Sequence, residues 1–587
     1  MSRKLVLTTI FISVLIGMLG LSIKIQRVEA SGTIYIRADG SVEPEGTPIS
    51  TSNNVTYTLT GNVTRDGDGI VVEKDSIVFD GAGYTVQGTG ASDSKGISHS
   101  GRSNVTIKNT KIRNFYHGLW LTRAPDYAES SHYNSISGNT ITNNSYDGIH
   151  LYGSSNNSIS GNEITNNFIG IYLEEYSNFN SVSGNNLTNN ESGLENGWDS
   201  SDNSISGNNI VDNHDAGIRF YGRSSNNVVS GNLFANDGLF MDLYYGNFVN
   251  FVVEDNFVNG KPLVYLEGVS HQSVGEAGQV ILLNCEQVQV KNLNLSQTTI
   301  GIELWNTNNT MVSGNTITAN RRYGVYLSGS SNNNTITGNK ITNTTTTNRG
   351  YGILLDSTSN NTISGNYITN NDYGIELWYS KYNTISGNNI TANRWNGIEL
   401  YPASTNNNVT GNNITNNGYD VWNGYGVVDS SSNNTISGNN INGNGKTAQG
   451  GGIWFYSSSN ETVSGNNITN NYYGIYLYGS SNNSVYHNNF IDNTRQVYSS
   501  DSAYANVWDD SYPSGGNYWS DYNGADADHD GIGDTPYIID ANNTDHYPLM
   551  NIIPEFPSFF VLSLFMITTL LSIVVYRKKH AKISRTP

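Results

Sequence analysis

One cysteine in 587 residues rules out an internal disulfide framework. Cys285 stands in the apolar stretch from Val280 to Val290, which predicts a buried, inert thiol. Charge is scarce at 13% of residues, and 30 Lys and Arg face 49 Asp and Glu for a formal net charge of −19. A basic stripe for phosphate backbones is therefore missing, which argues against nucleic acid as a partner. The ten His residues are scattered along the chain. Long hydrophobic runs are missing from the whole middle of the sequence. They occur only at the two ends.

At the N-terminus, Arg3 and Lys4 precede the apolar stretch Leu5 to Ile23. Val28-Glu29-Ala30 offers a small-residue cleavage site before Ser31, so residues 1–30 read as a signal peptide, with an uncleaved anchor as the alternative. At the C-terminus, Phe559 to Tyr576 is almost wholly apolar and is followed by Arg577, Lys578 and Lys579. That is the length of a single transmembrane helix. The basic cluster stays inside, which puts everything before Pro557 outside the cell. The expectation is a membrane anchor over 554–579 and a cytoplasmic tail over 580–587.

The middle is rich in Asn, Ser, Thr and Gly, a composition that describes a disordered chain unless it is periodic. It is periodic. The string S-G-N or its close variant T-G-N returns with its glycine at Gly138, Gly161, Gly184, Gly207, Gly231, Gly314, Gly338, Gly365, Gly387, Gly411, Gly438 and Gly465. About ten residues after most of these, a second glycine opens a G-I-x-L string, as at Gly148, Gly170, Gly374, Gly397 and Gly474. One rung reads as three short strands. Asn134 to Ser137 buries Ile136, Thr140 to Thr142 buries Ile141, and Gly148 to Tyr152 buries Ile149 and Leu151 at period two. A helical repeat fails because β-branched residues hold the apolar positions and Gly and Asn recur every few residues. Rungs of this kind bury their apolar face only by stacking. An Asn at the same place in each rung then forms a side-chain amide ladder.

The predicted fold is all-β, a single-stranded right-handed parallel β-helix plus a C-terminal transmembrane helix. Irregular opening rungs occupy 31–133 and repeats occupy 134–500, with irregular rungs over about 232–313. A C-terminal cap with an acidic loop fills 501–553. Some twenty rungs at the ~4.8 Å spacing of neighbouring strands give a rod on the order of 100 Å long.

The outward positions of the third strand stack from rung to rung. After G-I come His150, Tyr172, Arg219, Glu303, Tyr326, Glu376, Glu399, Trp454 and Tyr476. Two residues later come Tyr152, Glu174, Tyr221, Trp305, Ser328, Trp378, Tyr401, Tyr456 and Tyr478. Aromatic faces stack on sugar rings, and carboxylates accept from hydroxyls. The candidate carbohydrate-binding residues are therefore Tyr152, Tyr172, Tyr221, Trp305, Trp378, Tyr401, Trp454, Tyr456, Tyr476 and Tyr478. The plainer reading is that large aromatics cover and stiffen an exposed sheet. Glu376 and Glu399 fall at equivalent places in adjacent rungs, close enough to act as acid and base or as acid and nucleophile of a glycosidase. Asp526, Asp528, Asp530 and Gly531 match the first half of a calcium loop, which Asp534 completes. Tyr537 stands where an EF-hand places Glu. Sequons such as Asn54, Asn62, Asn104, Asn186, Asn389 and Asn413 predict a glycosylated surface.

The repeated N-x-I-S-G-N-N-I-T-N-N-x-x-G-I-x-L rung resembles the NosD-like branch of the parallel β-helix repeat superfamily, common among archaeal surface proteins. So do Asn259-Gly260-Lys261-Pro262-Leu263 and the closing Gly515 to Trp519 and Asp530 to Tyr537. The family name implies periplasmic copper delivery to nitrous-oxide reductase. Copper sites favour clustered Cys, Met or His, and here these residues are dispersed in the sequence. Pro554-Glu555-Phe556 resembles archaeal C-terminal sorting signals of the P-E-F type. The sequence thus puts first a membrane-anchored extracellular protein that contacts polysaccharide or envelope glycans or serves a structural role. A polysaccharide lyase or hydrolase comes second, and a copper-delivery component third.

Overall fold

The computed structural model describes residues 32–124, 130–243, 250–345, 349–419, 424–445, 450–500 and 504–554. Among them every regular element is a β-strand, and they wind into a right-handed parallel solenoid of about 18 turns. The expected signal peptide over 1–30 and nearly all of the expected anchor and tail lie outside the described residues. Within the described residues no helix is long and apolar enough to cross a membrane.

The rung read from the sequence is the rung that forms. Ser135–Ser137, Thr140–Thr142 and Asp147–Tyr152 pair in parallel with Ser158–Ser160, Glu163–Thr165 and Ile169–Glu174 of the next rung. The register sets Ile136 on Ile159, Ile141 on Ile164 and Ile149 on Ile171. All six are fully buried. Each such side chain contributes about 1.5–3 kcal/mol when taken out of water, and only stacking removes that surface.

Three asparagine ladders hold the corners. Asn139 donates its backbone N–H and its Nδ2 to Asn162 Oδ1, both at 3.0 Å, and its Nδ2 also donates to Ile107 O at 3.0 Å. Asn162 repeats the pattern on Asn185, and Asn185 on Asn208. Buried amides are thereby paired in a place where an unpaired one costs about 1–3 kcal/mol. The two glycine series serve different ends. Gly138 takes φ +63, the left-handed turn that L side chains resist. At Gly148 the obstacle is space, because a Cβ would stand 2.6 Å from Gly170 O.

The S-G-N-poor stretch houses a change of stack. The first stack's third-strand ladder runs to Leu239–Asp242. The chain then forms an antiparallel hairpin between Phe257–Val258 and Lys261–Glu267. Lys261–Glu267 opens a new ladder with Gln279–Leu283, Ile300–Trp305 and Tyr323–Ser328 that runs to Arg495–Ser499. The second-strand sheet of one stack is thus joined edge to edge with the third-strand sheet of the other. All of Gln279–Leu283 is buried because its two faces serve two cores. Ile281 and Leu283 belong to the first core, and Val280 and Leu282 to the second. The exposed edge that sheets must manage is covered here by side chains. Gln279 Oε1 accepts from Leu239 N at 2.9 Å, and Thr299 Oγ1 donates to Gly238 O at 3.2 Å.

Cys285 is buried and free, and burial pushes its thiol up, as expected of an inert thiol. At the far end Trp519 lies between Phe490 and Tyr537, with ring centroids at 4.4 and 4.3 Å. Asp545 ends one amide ladder by accepting from Asn517 N at 2.7 Å and Trp519 Nε1 at 2.9 Å.

Candidate functional site

On the first- and second-strand faces the outward positions are mostly Ser, Thr and Asn, as in Ser135, Ser137, Thr140 and Thr142. The third-strand face carries the diverse chemistry in both stacks, and the two faces meet. Phe240 projects from the outer side of the first stack's last rung, and its ring lies 6.0 Å from Tyr323 and 6.3 Å from Tyr326 on the second stack. Arg322 crosses the same junction to Asp215 at 3.2 Å and lies 4.9 Å over the Phe240 ring. Two outer faces that touch enclose an inner corner. Arg219, paired to Asp242 at 2.6 Å, lines it from one side. A file of phenols, Tyr323, Tyr351 and Tyr373, lines it from the other, with centroids 5.7 and 5.0 Å apart, the first pair tilted and the second stacked.

The outward residues were expected to stand in solvent, and several do not. His150, Tyr172, Glu303, Tyr326 and Glu376 are all buried. Two physical reasons account for this. At strand spacing, large side chains of successive rungs lie flat on one another. At the corner, the first stack covers the second. Glu303 shows the latter: its Oε2 accepts from Met241 N at 3.4 Å across the junction, and burial holds its carboxyl well above the usual range. The aromatics obey the former. Tyr456 and Tyr478 stack at 5.1 Å with planes 4° apart, and Trp454 and Tyr476 at 5.9 Å and 9°. Their faces are spent on each other, so their edges and hydroxyls meet solvent. Tyr401, Tyr456 and Tyr478 are exposed, whereas Tyr152, Tyr221, Trp305, Trp378, Trp454 and Tyr476 are half-buried. Tyr172 hydrogen-bonds the Tyr221 hydroxyl, and burial pushes both phenols up.

Glu376 and Glu399 are direct partners in adjacent strands, as expected. Burial first, and then each other's charge, push Glu376 up; burial also raises Glu399. Trp378 Nε1 donates to Glu376, and Asn396 Nδ2 donates to Glu399 Oε2 at 2.8 Å. Glu376 has no exposed surface, so a glycosidic oxygen does not reach it.

The acidic loop brings Asp526, Asp528 and Asp530 together with carboxylate oxygens within 4.8 Å of one another. Asp534 is turned to Ala527 N at 2.8 Å, and Asp526 accepts from the backbone N–H of Asp530 and Gly531, each at 3.1 Å.

One cluster was not singled out from the sequence. His117, Asp147 and His150 are buried together on the first stack's third-strand face. Both Nδ1 atoms approach Asp147 Oδ2, at 2.9 Å from His117 and 2.8 Å from His150. His150 Nε2 lies 3.1 Å from Glu174 Oε2. Burial lowers the His117 imidazole; burial opposes charge on His150 too, but Asp147 and Glu174 together outweigh it and raise that ring. The signal was legible. His117 and Asp147 each stand one residue before the glycine of their third strand, so register sets them side by side.

The family model described as a right-handed beta helix region matches residues 127–295 and 300–448, more than half of the chain, and the chain belongs to that family. A second model, described as periplasmic copper-binding protein (NosD), matches residues 45–197 and 414–524. The protein is a NosD-like parallel β-helix protein. A search of curated protein sequences returns no match. Among solved structures, the periplasmic alginate epimerase AlgG is similar at 12% identity over 74% of this chain and 83% of that chain, with a TM-score of 0.26. The A-module of the Azotobacter vinelandii mannuronan C-5 epimerase AlgE6 is similar at 14% identity over 69% and 89%, with a TM-score of 0.24. The tailspike gp61 of Pseudomonas phage phi297 is similar at 13% identity over 47% and 48%, with a TM-score of 0.29. Likeness at that level transfers no residue and no role.

The copper named in the second family description can be set against the donors present. Among the described residues, the cluster of His117, Asp147 and His150 is the one that offers two imidazoles. Nitrogen and oxygen donors suit a divalent ion. They lack the thiolate and thioether that hold Cu(I).

Proposed function

We propose that this protein is a glycan-contacting scaffold displayed outside the cytoplasm and held at the membrane by its C-terminal segment, with its ligand lying along the corner between the two third-strand faces. One observation carries the reading. Aromatic, carboxylate and guanidinium groups are concentrated on one of three faces in both stacks, and the two faces converge. A rod built for stiffness alone has no need of that asymmetry. Half-buried aromatics beside fixed, hydrogen-bonded charges suit a hydroxyl-rich ligand, because the polar groups are already oriented. Since the stacked rings present edges, contact runs through phenol hydroxyls and the side chains between them. Burial of Glu376 favours binding over hydrolysis or elimination.

The test is a glycan array with the purified protein, followed by affinity measurement on any glycan retained. Trp378→Ala with Tyr401→Ala should weaken binding at least tenfold. Tyr367→Ala, an exposed aromatic on a different face, should leave it unchanged. Absence of any bound glycan, or equal loss at Tyr367, overturns the proposal. Cleaved products from a bound glycan would replace binding with catalysis.

A further inference from the structure

We propose that His117, Asp147 and His150 form a three-ligand site for a divalent transition metal ion such as Zn2+. The three donors come from two adjacent rungs, and the parallel register holds them together: Leu119 pairs with Ile149 and Trp120 with His150, so His117 and Asp147 share one position. The contacts fall short of a complete hydrogen-bond set. His117 Nδ1 and Asp147 Oδ2 form an aligned bond at 2.9 Å. His150 Nδ1 approaches the same oxygen at 2.8 Å but forms no aligned bond, and Asp147 Oδ1 is buried with no partner. Two ring nitrogens crowded onto one carboxylate oxygen, with one pair misaligned, describe ligands better than a relay. Donors about 2.0–2.1 Å from a tetrahedral ion stand about 3.3 Å apart, so loading requires the rings to spread by about half an ångström.

The surroundings supply the second argument. Ligating imidazoles characteristically give their other ring nitrogen to a carboxylate, which fixes the ring and raises its basicity. His150 Nε2 has that partner in Glu174. Aromatic rings wall the cluster: Trp120 lies 4.3 Å from His117 and 4.4 Å from His150, and Tyr172 lies 4.6 Å from His150. They keep bulk water from competing. The imidazole–carboxylate set selects a borderline divalent ion over Cu+, which prefers sulfur.

The full-length chain, stripped with chelator, is titrated with Zn2+ and Cu2+ by calorimetry, with Co2+ by visible absorption, and with Cu+ under reducing conditions. The expected result is one equivalent of Zn2+ at micromolar affinity or tighter, Cu2+ tighter still, and Co2+ bands of a four-coordinate nitrogen–oxygen site. His117→Ala should weaken Zn2+ at least a hundredfold, and Glu174→Gln about 10–100-fold. His271→Ala, at an exposed histidine elsewhere, should change nothing. If His117→Ala does not fold, Glu174→Gln and the cobalt bands decide, because Glu174 sits at the rim. No Zn2+ binding by the folded wild type overturns the proposal. So does binding that survives Glu174→Gln undiminished with unchanged cobalt bands, and so does binding of Cu+ alone.

Discussion

The third-strand face of the first stack and that of the second are built on one rung yet have opposite characters. In the first, successive outward residues are Trp120, His150, Tyr172, Glu195, Arg219 and Phe240. Unlike neighbours pair by charge and hydrogen bond. Near the end of the second, Trp454, Tyr476 and Tyr498 repeat one kind of group, with Trp454 stacked on Tyr476 and Tyr498 tilted against it. Inward positions of both are mostly aliphatic, with Phe220 and Phe455 and the buried polar Asn196 and Asp429 as exceptions. The parallel register therefore amplifies whatever it is given. Like residues make a stiff aromatic file, whereas unlike residues make a site.

The comparison breaks first at the core. Ile141→Asp puts an unpaired carboxylate into a fully buried slot between Ile112 and Ile164, and should cost about 3–5 kcal/mol. Tyr478→Ala removes one exposed ring, stacked on Tyr456, and should cost under about 1 kcal/mol. His150→Asp groups with the core, because it would set a third carboxylate against Asp147 and Glu174. Chemical denaturation of the three variants checks the order. Equal cost for Ile141→Asp and Tyr478→Ala would mean that the inward and outward assignments are wrong.

The rung was legible because its rules are local: period-two burial, a left-handed turn at Gly138 and an amide at Asn139 can all be read from a short window. The adjacency of Glu376 and Glu399 followed from the same register. The corner was not legible. Nothing near Phe257 to Lys261 announces an antiparallel hairpin rather than another turn, since Asn-Gly serves both. Consequently the burial of Glu303 and Tyr326 was invisible, because the groups that cover them come from another stack far away in sequence. His117 and Asp147 were recoverable by aligning the residue before each strand-opening glycine.

A carboxylate at the junction gives the first stack a pH response. The first stack's amide ladder ends at the corner on a carboxylate. Asp237 Oδ2 accepts from Asn213 N at 2.9 Å and from its Nδ2 at 3.0 Å, and burial pushes the Asp237 carboxyl up to about 7. A folded-state value above the unfolded one means that the folded form holds the proton more tightly. The resulting stability is complete below the unfolded value near 4 and is lost as pH rises through about 7. Between pH 5 and pH 8 the loss is on the order of 2–3 kcal/mol. Asp237→Asn keeps the accepting oxygen and cannot ionise, so its stability should fall less over that window. Denaturation midpoints at both pH values check this, and an unchanged slope would remove Asp237 as the cause.

A further, modest effect separates the rungs from the cap. Asp526, Asp528 and Asp530 hold three carboxylates within one turn, and like charges at that distance repel unless a cation lies between them. Asp534 supports the loop through Ala527 N and stands close enough in sequence to turn inward on loading. We hold calcium binding here as a hypothesis. A ligand bound only by the folded loop stabilises it by about 1.4 kcal/mol at a tenfold excess over its dissociation constant. The loop joins the solenoid through the stacking of Tyr537 on Trp519, so the gain should appear as a modest rise in the melting temperature of the C-terminal end. Magnesium should give less, because it demands a tighter octahedral shell. Asp528→Asn with Asp530→Asn should abolish the calcium response and leave the rungs folded by circular dichroism. A wild-type melting curve that chelator does not move would make the loop a solvated turn, with the aromatic cap closing the solenoid unaided.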